Sequence, residues 1–135
     1  RARRFGEQVA VVMLDLDHFK AINDRHGHAV GDDVLRAVAN CIRDAVAPAG
    51  HAGRLGGDEF ALALPFGSDA ATALSETLRA SVEALVFPAT PTLRCSVSLG
   101  IAAPPGAGLG LREWLEAADR ALYESKHGGR NRVRG

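Results

Sequence analysis

The run VAVVMLDL, from Val9, is apolar at consecutive positions until it ends in acids, a pattern that suits a central strand buried on both faces. After Asp17 the segment HFKAINDRHG predicts a short helix stopped by Gly27. Val30, Val34, Leu35, Val38, Ala39 and Ile42 then recur at helical spacing until Pro48. Gly53 to Leu55 and Phe60 to Leu64 flank the glycine pair Gly56 and Gly57, which can supply positive φ in a tight hairpin, so two antiparallel strands are expected. Leu74, Leu78, Val82 and Leu85 mark another amphipathic helix. Leu93, Cys95, Val97, Leu99 and Ile101 alternate with Arg94, Ser96, Ser98 and Gly100, which predicts a half-buried strand. A loop with Pro104 and Pro105 follows. Leu111, Trp114, Leu115, Ala118 and Leu122 describe a last helix ended by Gly128 and Gly129, with a short strand near Val133.

This order, β-α-α-β-β-α-β-α with a short tail, contains the split βαβ or ferredoxin-like pattern of an α+β protein. Such a sheet is expected to carry helices on one face and leave the other available. A chain of 135 residues makes one domain, and neither an internal repeat nor a linker is visible. The architecture hosts many activities, so function has to be read from the site.

Composition narrows the classes. Hydrophobic residues at 47% and charged residues at 24% are ordinary for a soluble globular domain and exclude disorder as the main state. Sixteen basic residues balance sixteen acidic ones, so net charge announces neither a nucleic-acid nor a membrane surface. No apolar run approaches the ~20 residues that cross a bilayer, and no signal-peptide pattern opens the given sequence. Cys41 and Cys95 have no paired spacing, which excludes a disulfide scaffold or zinc ribbon, fits a reduced cytoplasmic setting and reads as two small core residues. Fourteen of the basic residues are arginine, and the only lysines, Lys20 and Lys126, both fall beside candidate chemistry.

That chemistry begins at the strand exit. LDLD at Leu14 to Asp17 places two carboxylates at the end of a greasy strand. Asp17 reads equally well as an N-cap of the next helix. If the strand lies beside the glycine hairpin, Asp58 at the tip comes near Asp15. Two converging carboxylates form a hard-oxygen site suited to Mg²⁺, which completes its octahedron with water and substrate phosphates. The implied chemistry is phosphoryl or nucleotidyl transfer. In GGDEF at Gly56 to Phe60, the glycines either only make the turn or also let a nucleotide approach the backbone, while Asp58 and Glu59 either solvate the turn or act in catalysis. The five histidines form no defensible ligand set.

Four blocks carry a family resemblance: LDLDHFKAINDRHGHAVGD at 14–32, RLGGDEFAL at 54–62, SVSLGIA at 96–102 and ADRALYESKHGGRNRV at 118–133. Their order and spacing resemble a GGDEF domain of the diguanylate cyclases, whose fold is of the nucleotide-cyclase palm type. The resemblance implies that Asp15, Asp58 and the Leu16 carbonyl hold two Mg²⁺ ions, with Mn²⁺ as an alternative, and that Asp58 helps to activate a ribose 3′-hydroxyl. It implies that Asn23 and Asp32 read guanine, that the backbone at Phe19 and Lys20 cradles phosphate, and that Lys126 and Arg130 contact the terminal phosphates. The substrate is then GTP, the product cyclic di-GMP, and the active species a homodimer. A sensory or receiver domain is expected upstream.

Departures from the family pattern matter as well. Many members carry an RxxD product-binding inhibitory motif shortly before the glycine pair. Ala47, Pro48, Ala49 and Gly50 stand there instead, so feedback through that site is not expected. The family's leading helix is also missing before Asp15, and Arg3 and Arg4 do not replace it, so an excerpt of a longer protein is expected. Three other functions compete: a non-catalytic GTP-binding regulator, a mixed adenine-guanine dinucleotide cyclase, and a ferredoxin-like interaction module that binds no nucleotide.

Overall fold

The computed structural model describes residues 9–103 and 110–135. Arg3, Arg4, Pro104 and Pro105 therefore lie outside the described residues. The elements are β1 (Ala10–Leu16), α1 (Phe19–His26), α2 (His28–Val46), β2 (His51–Gly56), β3 (Glu59–Leu64), α3 (Ser68–Glu83), β4 (Val97–Ala102), α4 (Leu111–His127) and β5 (Val133–Arg134). The sheet order is β2-β3-β1-β4-β5. β1 is antiparallel to both β3 and β4, β2 is antiparallel to β3, and β5 adds in parallel to β4. β3 thus splits the β1–β2 pair, as the split βαβ pattern requires.

Every residue of β1 is buried, as its unbroken apolar run predicts. Its alternate side chains serve two cores. Ala10, Val12, Leu14 and Leu16 pack with Ile22 of α1, Val34, Val38 and Ile42 of α2, and Leu78 and Val82 of α3. Val11 and Met13 face the other way, against Ala118 and Leu122 of α4, with Trp114 and Leu115 beside them. Each such aliphatic side chain contributes roughly 1.5–3 kcal/mol on burial, so both faces add to stability.

This corrects the expectation that one face of the sheet stays available: α4 covers it. The fit depends on Gly100, because a Cβ there would run into the α4 backbone at Leu122 N, Ala118 O and Ala121 C. The same packing corrects the half-buried strand. β4 begins at Val97 rather than Leu93, and all six of its residues are buried because α4 lies over Ser98 and Gly100. Leu93 and Cys95 stay buried, but Leu93 N–H donates to Thr90 O and the Arg94 guanidinium to Pro91 O, a turn that keeps the segment out of the ladder. Cys41 and Cys95 are free thiols, and burial pushes Cys95 up to about 11. β2 is an edge strand whose six residues are all exposed.

Candidate active site

The β1 pleat sends Asp15 to the α4 face, the same face as Val11 and Met13. Asp15 stands opposite Glu59 in the ladder, so the two side chains share that face. Just beyond Glu59, the hairpin tip is formed by Gly56 at φ 145° and Gly57 at φ 52°, conformations that glycine adopts without a Cβ penalty. The tip is tied to β1 because Leu16 N–H donates to Asp58 O at 3.1 Å. The Asp58 carboxyl consequently lies close enough to that of Asp15 for the two acids to repel. The two acids that the sequence places 43 positions apart meet at one spot.

Asp15 Oδ2 accepts from the Lys126 ammonium, but Asp15 Oδ1 is buried and has no hydrogen-bond partner among the described residues. Burial is the main cause that pushes the Asp15 carboxyl up, to about 6; the adjacent Asp58 adds to it and Lys126 opposes it. A carboxyl raised in this way holds its proton more tightly folded than unfolded, so the metal-free fold loses stability as pH rises from about 4 through 6. A divalent cation would reverse that loss by satisfying the orphaned oxygen and both charges, and protons would compete with it below about pH 6. Among the described residues no three His, Cys, Asp or Glu side chains gather as a complete metal cage. Two carboxylates alone suit Mg²⁺, which keeps water and substrate in its shell.

Next to the pair, α1 starts at Phe19 with its positive end open. His18 at the N-cap, φ 57°, makes no side-chain cap bond, and the first turn holds no acid. The first intrahelical donor is Ile22 N–H to His18 O, which leaves the N–H groups of Phe19, Lys20 and Ala21 without helical partners. That is an anion-binding end. The Lys20 side chain is not part of it: its ammonium points to Asp24 at 3.1 Å and is 90% exposed. The hint from lysine scarcity therefore applies to the side chain of Lys126 alone.

Asn23 and Asp32 sit where α1 and α2 meet. Asn23 Oδ1 is buried and has no partner among the described residues, and it lies against the bare α-carbon of Gly31, where any Cβ would collide with it. Asp32 is exposed and lies inside α2, whose N-cap is Gly27, so it is not a helix cap. It lines a cavity of about 660 Å³ whose walls include Leu35, Arg36, Arg54 and Phe60. Arg130 is exposed, and among the described residues its guanidinium makes no hydrogen bond or ion pair.

A family model described as Diguanylate cyclase, GGDEF domain, matches residues 1–132. The chain belongs to the GGDEF family. Diguanylate cyclase VdcA of Vibrio cholerae is 41% identical to this GGDEF domain over 135 residues, which is 95% of this chain and 39% of that protein. Diguanylate cyclase A of Treponema denticola is 40% identical over 130 residues, 94% of this chain and 35% of that protein. The chain thus spans little more than a third of the length of these curated relatives. The GGDEF domain of DgcB from Caulobacter crescentus, solved in complex with c-di-GMP, superposes with a TM-score of 0.88 at 38% identity, covering 98% of this chain and 80% of that one. The active GGEEF domain of a diguanylate cyclase from Vibrio cholerae gives 0.90 at 28% identity, covering 99% and 86%.

Sequence reasoning missed what holds this GGDEF domain's site in place. Asp17 is no N-cap. It is buried at 3% exposure, where Oδ1 accepts from Ser98 Oγ and Oδ2 from Ser96 Oγ, both at 2.6 Å, and Oδ2 also accepts from Asn131 N–H at 2.9 Å. The two serines alternate along the strand register, a signal that was present but had no visible partner. Arg54 braces the hairpin by donating from Nε and Nη2 to Gly57 O at 2.9 and 2.6 Å. Its place directly before LGG was equally visible.

Proposed function

We propose that the chain is the catalytic domain of a diguanylate cyclase, which condenses two GTP molecules into cyclic di-GMP and two pyrophosphates. The observation that carries this reading is the meeting of the Asp15 and Asp58 carboxyls, with one oxygen orphaned, beside the open N-terminus of α1. Family membership adds to it.

In this reading Asp15, Asp58 and the Leu16 carbonyl hold two Mg²⁺ ions, or Mn²⁺, which neutralise charge on the triphosphate and on the departing pyrophosphate. The backbone N–H groups at Phe19 and Lys20 receive phosphate oxygens, and Lys126 and Arg130 grip the terminal phosphates. Lys126 already touches Asp15, so nucleotide binding exchanges one anionic partner for another. The carboxylate of Asp32 accepts from N1–H and the exocyclic amine of guanine, a pair that adenine does not offer, and Asn23 aids it. Gly56 and Gly57 let the nucleotide approach the hairpin, while Asp58, with Glu59 beside it, takes the proton of the 3′-hydroxyl.

One site holds one GTP, so the reaction needs a second copy of the domain, face to face, with each 3′-hydroxyl in line with the other's α-phosphate. We place the domain in the cytoplasm, under an upstream sensory or receiver region that brings two copies together. Among the described residues no helix is long and apolar enough to cross a membrane. Ala47 to Gly50 present no RxxD, so product feedback there is not part of the reading.

Incubation with GTP, ATP or both, with Mg²⁺ present and the product identified by mass, tests the proposal. Cyclic di-GMP from GTP alone, at a rate per molecule that rises with protein concentration, is the expected result. A mixed dinucleotide, no product at any concentration, or a rate per molecule independent of concentration would each contradict a stated part of it.

A further inference from the structure

The turn that carries Arg130 is built in an unfavourable conformation. Arg130 and the residue after it, Asn131, both have positive φ, 62° and 48°. Two successive non-glycine residues in the left-handed region persist only where their surroundings fix them, and such strain gathers at functional sites. Here the surroundings do fix them. Arg130 N–H donates to Ser125 O at 2.9 Å, and Arg132 O accepts from Leu99 N–H at 2.9 Å, so both sides of the turn are anchored. Asn131 is held by its backbone N–H and by both ends of its side-chain amide: its N–H donates to Asp17 Oδ2, its Nδ2 donates to Glu83 Oε2 at 2.6 Å, and its Oδ1 accepts from Arg79 Nη1 at 3.0 Å. Arg79 is itself held by Glu76 at 2.6 Å. Asp17 stands two residues after Asp15, on the same face of the strand exit. All these groups are satisfied, while the guanidinium of Arg130 is left without a protein partner among the described residues.

We propose that Asp17 and Asn131 are positioning residues, a latch that fixes the Ser125–Val133 turn so that Arg130 is presented to the terminal phosphates of the nucleotide. The inference rests on the reading of Arg130 as a phosphate contact and goes beyond it by assigning a task to groups that touch no substrate. Asp17, with Ser96 and Ser98, ties the turn to the strand that carries Asp15. Asn131, with Arg79 and Glu83, ties it to α3. The latch therefore acts on triphosphate affinity and leaves base and ribose recognition alone.

The test is calorimetry with Mg²⁺ and either α,β-methylene GTP, which binds as a triphosphate without turnover, or GMP, which has no terminal phosphates. Asn131→Gly keeps the left-handed turn accessible and removes the side-chain clamp. Asp17→Asn keeps the shape and removes the charge. Each is expected to weaken α,β-methylene GTP about tenfold, the scale of a charge-assisted hydrogen bond, with GMP affinity unchanged. Arg130→Ala should weaken it at least as much, and adding Asn131→Gly to Arg130→Ala should cost nothing further, because both act through one guanidinium. If Arg130→Ala weakens the analogue but Asn131→Gly and Asp17→Asn do not, the latch is wrong while the phosphate reading stands. Additive losses, or equal losses for GMP, overturn it too. An Arg130→Ala protein that binds the analogue as the parent does removes the phosphate reading and the latch with it.

Discussion

Asp58→Ala is expected to abolish turnover, by roughly 10³-fold or more, in a protein that stays folded, because it removes both a metal carboxylate and the group beside the 3′-hydroxyl. The fold has little reason to suffer. Asp58 is tied to β1 through its backbone carbonyl, which Leu16 N–H still reaches in the variant. Its side chain adds a like charge next to Asp15, so its removal relieves repulsion and lowers the Asp15 pKa from about 6. Turnover and thermal unfolding measured on one preparation check this: activity should vanish with the melting temperature unchanged or slightly higher. Retained synthesis of product would remove the catalytic assignment, and a loss accompanied by unfolding would make the residue structural.

The largest effect on stability is expected at Gly100. A Cβ there meets backbone of α4 rather than a flexible side chain, so Gly100→Ala has to push the helix off the sheet. Overpacking of this kind costs about 3 kcal/mol, which for a domain of this size lowers the melting temperature by roughly 10 °C. The displaced helix carries Lys126, which pairs with Asp15, and Ser125, whose hydroxyl donates to Leu99 O at 2.6 Å, so the site loosens with the fold. Gly53→Ala is the control. That glycine lies on the exposed β2, with nothing within 4 Å of an added Cβ, and the change should alter stability by under about 0.5 kcal/mol. Urea unfolding of both variants decides the matter; equal midpoints would show that α4 does not sit on Gly100.

These two positions also show what the sequence could and could not reveal. β1 was legible because both of its faces are buried, which leaves an unbroken apolar run with acids only at its end. The hairpin was legible from Gly56 and Gly57, and the pairing of Asp15 with Asp58 followed from placing hairpin and strand side by side. The cover on the second face has no periodic signature, although a glycine inside a strand is itself a sign of close backbone approach. Gly100 falls at a polar position of the alternating pattern, yet it is the seat of a helix. Asp17 was harder still. Its partners lie 79, 81 and 114 positions away, just before β4, on β4 and on the turn after α4, and no local pattern distinguishes a buried anchor from an N-cap. The surroundings of Asn23 and Lys126 have no local signature in the sequence: one lies against Gly31 and the other pairs with Asp15.

The central claim is that the exit of β1 and the hairpin tip grip the same divalent ions, and electron paramagnetic resonance of Mn²⁺ titrated in the presence of α,β-methylene GTP measures it most directly. Asp15→Asn and Asp58→Asn should each weaken Mn²⁺ binding at least about tenfold, and binding by the parent should weaken as pH falls below about 6, where Asp15 takes up its proton. If either variant binds Mn²⁺ as tightly as the parent, the two carboxylates do not share the ions, and the account is wrong at its base.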